Sequence, residues 1–89
     1  MNEDIFASIV NDMKNEFDSH DFIKEFIWRN PTIYGNLLIK YDNVTRAHAE
    51  ISRFLLDHSR TLMIEKVGEK DSDGIFDHST SCANWRRVQ

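Results

Sequence analysis

Between Gly68 and Cys82 the chain runs GEKDSDGIFDHSTSC, which places four carboxylates, a histidine and the only cysteine within fifteen residues. Carboxylates and an imidazole ligate cations, and a thiolate beside an imidazole is a pairing that nucleophilic catalysis uses. The same stretch also reads as the acidic tip of a β-hairpin, because Asp73-Gly74 is a strong turn dipeptide. Each reading needs different flanks, so the remainder of the chain decides between them.

Counted from Glu69, acids fall at positions 1, 3, 5 and 9 and Gly74 at position 6, a partial EF-hand pattern. Thr80 at position 12 cannot supply the bidentate carboxylate, Glu69 stands where Asp is usual, and the flanks have strand character instead of helix. Zinc has less to hold it. His78 and Cys82 are four apart with no second Cys or His pair nearby, so His48 or His58 would have to be brought in by the fold. Cys82 with His78 as base has suitable residue types and nothing else. There is no glycine-rich phosphate loop, nucleophile elbow or pair of catalytic carboxylates on a recognisable scaffold. The stretch is therefore expected to be a solvated hairpin tip, with Cys82 packed beside Trp85. No catalysis, metal or cofactor is expected.

The chain of 89 residues has room for one domain with a single core, and its 40% apolar and 29% charged content is that of an ordinary globular protein. One proline and three glycines imply long regular elements with few loops. No apolar run approaches the roughly 18 residues of a membrane span, and the acidic opening MNEDIF lacks the basic region of a signal peptide. A single cysteine allows no internal disulfide, so the expected setting is the cytoplasm, without membrane. Net charge is −4, but unevenly spread. Residues 1 to 25 carry seven acids against two lysines, and residues 26 to 66 carry six bases against four acids. An acidic arm thus precedes a mildly basic centre.

Ile5, Phe6, Ile9, Val10, Met13 and Phe17 recur at helical spacing and predict an amphipathic helix over residues 3 to 17. Ser19 is a candidate cap for a second helix carrying Phe22, Ile23, Phe26 and Ile27. Asn30-Pro31 ends that helix and starts a third, with Ile33, Tyr34, Leu37, Leu38 and Tyr41 as its stripe. A fourth helix, capped by Asn43 or Thr45, runs to about His58, its apolar side formed by Val44, Ala47, Ile51, Phe54, Leu55 and His58. After Arg60 the period changes. TLMIEKV and CANWRRV read as two strands joined through the acidic tip, with Ile75-Phe76 able to extend the ribbon. Trp28 and Trp85 are expected in the core or at its edge.

On the fourth helix Arg46, Arg53 and Arg60 stand seven apart and share a stripe, with Thr45, Ser52 and Ser59 on the adjoining one. Arginine and short hydroxyl side chains suit phosphate oxygens and base edges. Glu50 and Asp57 lie between the arginines, so the stripe can also satisfy itself as surface ion pairs.

The predicted class is α+β and mostly helical: an N-terminal helix over 1 to 18, then a three-helix unit closed by a two-stranded β-hairpin over 19 to 89. That unit resembles the winged helix-turn-helix domain. SHDFIKEFIWRN, PTIYGNLLIKYD and NVTRAHAEISRFLLDHS match its helices, and TLMIEKVGEKDSDGIFDHSTSCANWRRV its wing. The resemblance implies a small DNA-binding transcription regulator. Thr45, Arg46, Ala49, Ser52 and Arg53 would face the major groove, with His48 at the edge and Arg86 and Arg87 on phosphates. The wing tip is acidic where such wings are basic or polar, and KYDN is not the usual glycine-bearing turn. The alternative is a protein-interaction module or inhibitor that sets an acidic surface against a basic partner. The first helix either covers the core or pairs two copies into a homodimer through residues 3 to 17.

Overall fold

The computed structural model describes residues 1 to 74 and 79 to 88. Among these residues the fold is α+β, with five helices and a three-stranded antiparallel sheet sharing one core. The first helix, α1 (Glu3–Asp12), is started by Asn2, whose side chain accepts the Ile5 N–H at 3.0 Å, with Glu3 and Asp4 favourably placed in the first turn. It stops well before Phe17. Met13 has extended backbone, and Glu16–Asp18 forms a short strand, β1. The helical spacing of Phe17 is coincidental, because its side chain reaches the core from a strand paired with Trp85. That third strand was not expected. The linker leading to it is fastened by Arg87, whose backbone N–H donates to the Asn15 carbonyl at 2.8 Å.

Asp18, not Ser19, caps α2 (Ser19–Arg29). Its carboxylate accepts the Asp21 N–H at 2.8 Å, and the Asp21 carboxylate accepts the Asp18 N–H in return. Ser19 is thereby free to bury its hydroxyl, which accepts the Trp85 indole N–H at 3.0 Å. Pro31 opens α3 (Pro31–Tyr41), and Asn43 caps α4 (Val44–Asp57) by accepting the Arg46 N–H at 2.9 Å. Within α4 the buried residues are Ala47, Ile51 and Leu55, whereas Val44, expected on the apolar side, stays exposed.

A second correction falls after Arg60. Thr61 and Leu62 belong to a helical turn, α5 (Ser59–Leu62), which Met63 ends in the left-handed conformation with φ of 58°. Strand β2 (Ile64–Asp73) starts only then, and pairs antiparallel with β3 (Ser79–Arg87). The order β1-β3-β2 makes β3 the central strand. The ladder slips between Lys66 and Gly68, and Gly68 takes φ of 136° at this bulge, which side chains rarely tolerate. Glu69, Asp71 and Asp73 therefore lie in an exposed strand, not in a cation loop. Asp73 pairs with Ser79 across the hairpin, and the expected ribbon extension at Ile75 and Phe76, with Asp77 and His78, lies outside the described residues.

Phe6 sits at the middle of the core, its ring centroid 5.1 Å from Phe22, 5.5 Å from Phe26 and 4.2 Å from Phe54. With Ile9 and Val10 also buried, α1 places its apolar stripe inside its own chain. The two tryptophans part company: Trp85 is 1% exposed and Trp28 is 82% exposed. Trp85→Ala should cost about 3–5 kcal/mol of stability by urea unfolding, and Trp28→Ala about 0.5 kcal/mol or less. Equal losses would contradict this placement.

Candidate functional site

Along α4 and the hairpin runs an open groove of about 790 Å³, with Ser19, His20 and Ile23 from α2 and Trp85 from β3 among its lining. Thr45, His48, Ala49, Ser52 and Arg53 line it from α4, and Thr80, Cys82 and Ala83 from β3. Five of the residues selected from sequence thus share one surface. The fold brings this about because α4 buries only Ala47, Ile51 and Leu55, while the indole of Trp85 holds the base of the hairpin beside α2.

The other three lie outside that lining. Arg46 is on the flank of α4 with its guanidinium 5.8 Å from the Tyr41 ring centroid, a cation–π distance. Arg86 is across the ladder from Glu65 and makes an ion pair with it. Arg87 is half-buried, and its guanidinium donates to the Met13 carbonyl at 3.3 Å. Arg53 faces Asp57 at 3.7 Å with both side chains largely in solvent, a contact of little energetic value.

His48 is half-buried, with Nε2 2.7 Å from the Tyr34 hydroxyl and the two rings 5.6 Å apart. Burial, and then the positive charge His20 can carry, lower the His48 pKa; burial raises that of Tyr34. A protonated phenol donating to a neutral imidazole is the arrangement both shifts favour.

A second polar cluster joins α2 to the hairpin, and sequence spacing offered no sign of it. His20 Nδ1 lies 2.7 Å from the Ser72 hydroxyl and Nε2 lies 3.3 Å from the Thr80 hydroxyl. Ser72 is also 3.6 Å from Cys82 Sγ, and the buried Asp18 carboxylate is 3.6 Å from Lys70 Nζ. Ser72 and His20 have the contact of a nucleophile and base, but the second ring nitrogen meets Thr80, and among the described residues no carboxylate takes the orienting place of a triad. Asp18, His20 and Cys82 are suited instead to holding a metal ion, with one ligand atom each, all within 4.8 Å of one another. Only Cys82 among these three was singled out from the sequence; the histidine then set beside it, His78, is outside the described residues.

No family model matches the chain, and neither the curated proteins nor the solved structures yield a match. Among the described residues no helix is long and apolar enough to cross a membrane.

The lowered His48 pKa fixes a pH dependence. The unfolded chain takes up this proton near pH 6.5 and the folded chain only at lower pH, so stability is complete above about 6.5 and falls as the pH drops through the lowered folded value. Melting temperatures between about pH 5 and 7.5 should show this decline, and His48→Gln should flatten it. An unchanged slope in the variant would assign the decline to other groups.

Proposed function

We propose that the protein is a small DNA-binding regulator that docks through the exposed side of α4, with the hairpin lying alongside the duplex. The observation that carries this reading is the placement of α4: one side is buried in the core, while Thr45, Arg46, Ala49 and Arg53 are exposed at the N-terminal and middle turns beside a projecting hairpin. A helix of this kind fits the major groove, which is about 12 Å wide. Several acids are engaged with cations of the same chain: Asp12 and Glu25 with Arg29, Glu65 with Arg86, and Asp18 with Lys70. Arg46 and Arg53 are correspondingly available to phosphate, since the Tyr41 ring and Asp57 hold them only loosely. The helices α2, α3 and α4, followed after the short α5 by the β2–β3 hairpin, support this reading, while Arg87 is tied to the Met13 carbonyl.

One observation favours a second reading, a module that binds a basic protein segment. Strand β2 is an edge of the sheet, and Glu69, Asp71 and Asp73 are all exposed along it. An edge strand can accept an added strand, and carboxylates there would select lysine- or arginine-rich segments.

Fluorescence anisotropy with a labelled mixed-sequence duplex at low salt separates the two. DNA docking predicts saturable binding that weakens in Arg46→Ala and Arg53→Ala, and a log–log salt slope reduced by about 0.9 for each phosphate that the variant no longer neutralises. Absence of binding, or equal binding by all three proteins, would overturn it. An oligolysine peptide captured by the parent chain but not by Asp71→Asn/Asp73→Asn would establish the edge-strand reading instead.

A further inference from the structure

We propose that Asp18, His20 and Cys82 form a binding site for zinc, or a divalent cation of the same borderline-soft class, which clasps the hairpin to the start of α2. The three ligand atoms are supplied from the β1–α2 junction and from β3, and already lie within 4.8 Å of one another. Ligands at zinc bond lengths of about 2.0–2.3 Å in a tetrahedron are about 3.3–3.8 Å apart, so side-chain rotations of about an ångström complete the set. Carboxylate, imidazole and thiolate together suit zinc, whereas magnesium and calcium take oxygen ligands alone.

The surroundings fit a metal-bound imidazole. Hydroxyls face both nitrogens of His20, Ser72 at 2.7 Å and Thr80 at 3.3 Å. Whichever nitrogen turns to the metal, the other keeps a hydrogen-bond partner of the kind that orients a ligating histidine. Asp18 is 2% exposed and is held in place by capping α2 through one oxygen, leaving the second for a cation.

An independent observation is Asn84. Its Oδ1 is buried without a hydrogen-bond partner among the described residues, while its amide nitrogen donates to Glu16 at 2.6 Å. Asn84 stands opposite Asp18 in the ladder and two residues from Cys82 along β3, so all three share one face of the sheet. A buried carbonyl oxygen on that face calls for a donor, and a metal-bound water is one. His20 and Cys82 both line the groove, which gives the fourth coordination position an outlet to solvent.

Lys70 is the competing cation. Its ammonium lies 3.6 Å from Asp18, on a side chain half in solvent that can swing away. The Asp18 carboxylate and the Cys82 thiolate then balance a divalent ion.

The test uses the full chain stripped by chelator and titrated with Co(II) alone, then with Zn(II) as competitor. Expected are one equivalent bound, a thiolate-to-cobalt charge-transfer band, displacement of cobalt by zinc, and a zinc-dependent rise in melting temperature. Cys82→Ser should abolish the band and weaken binding by about 100-fold or more, an effect at or beyond the upper end of outer-shell losses. Asp18→Asn keeps the helix cap, because Asn caps as well as Asp, and should weaken binding without changing the circular dichroism of the apoprotein. Lys70→Gln should tighten it. No charge-transfer band, or metal affinity unchanged in both Cys82→Ser and Asp18→Asn, would overturn the proposal.

Discussion

The hydrogen bond from the Trp85 indole to the Ser19 hydroxyl is the contact on which the arrangement of this molecule turns. Trp85 belongs to the central strand and is paired on one side with Phe17 and on the other with Lys66, so its ring anchors three strands at once. A buried indole N–H needs an acceptor, and Ser19 can offer one only because Asp18 has taken over the capping of α2. Cap, strand pairing and indole contact are therefore mutually dependent. Together they fix where the hairpin leaves the body and so the width of the groove beside α4.

Around that contact the core is aromatic and assembled from every helix but the most exposed parts of α3. Phe6 meets Phe22, Phe26 and Phe54, and Phe54 stacks in turn on His58 at 3.9 Å. In a chain of 89 residues, few side chains are available for burial, and large rings cover the most apolar area for each residue used. This is why α1 is drawn into the core even though it precedes the three-helix unit. At the periphery, Trp28 and Ile39 are 82% and 80% exposed.

The groove and the Asp18–His20–Cys82 cluster are adjoining parts of one structure, since His20 and Cys82 belong to both. His48, whose pKa is lowered by burial first and by its proximity to His20 second, stands between the cluster and the α4 surface. An occupant of the cluster would accordingly alter the electrostatics of the α4 surface as well as the rigidity of the hairpin. The arginines selected on residue type divide by environment: Arg46 and Arg53 remain at the surface of α4, while Arg86 and Arg87 are engaged by Glu65 and by the Met13 carbonyl.

What the sequence determined by itself was the local part of the structure. The second, third and fourth helices, the Asn43 cap and Pro31 at a helix start all follow from side-chain periodicity and from hydrogen bonds between residues three or four apart. Of the five groove residues on α4, Thr45, Ser52 and Arg53 were legible from helical spacing, and His48 and Ala49 only through the winged-helix resemblance. Tertiary structure decided everything that depends on partners far along the chain. Residues 16 to 18 became a strand because β3 offered unpaired backbone groups, and Phe17 has helical spacing only by accident. Likewise Asp18, His20, Ser72 and Cys82 met only through sheet register across more than fifty residues, a separation at which spacing carries no geometric information.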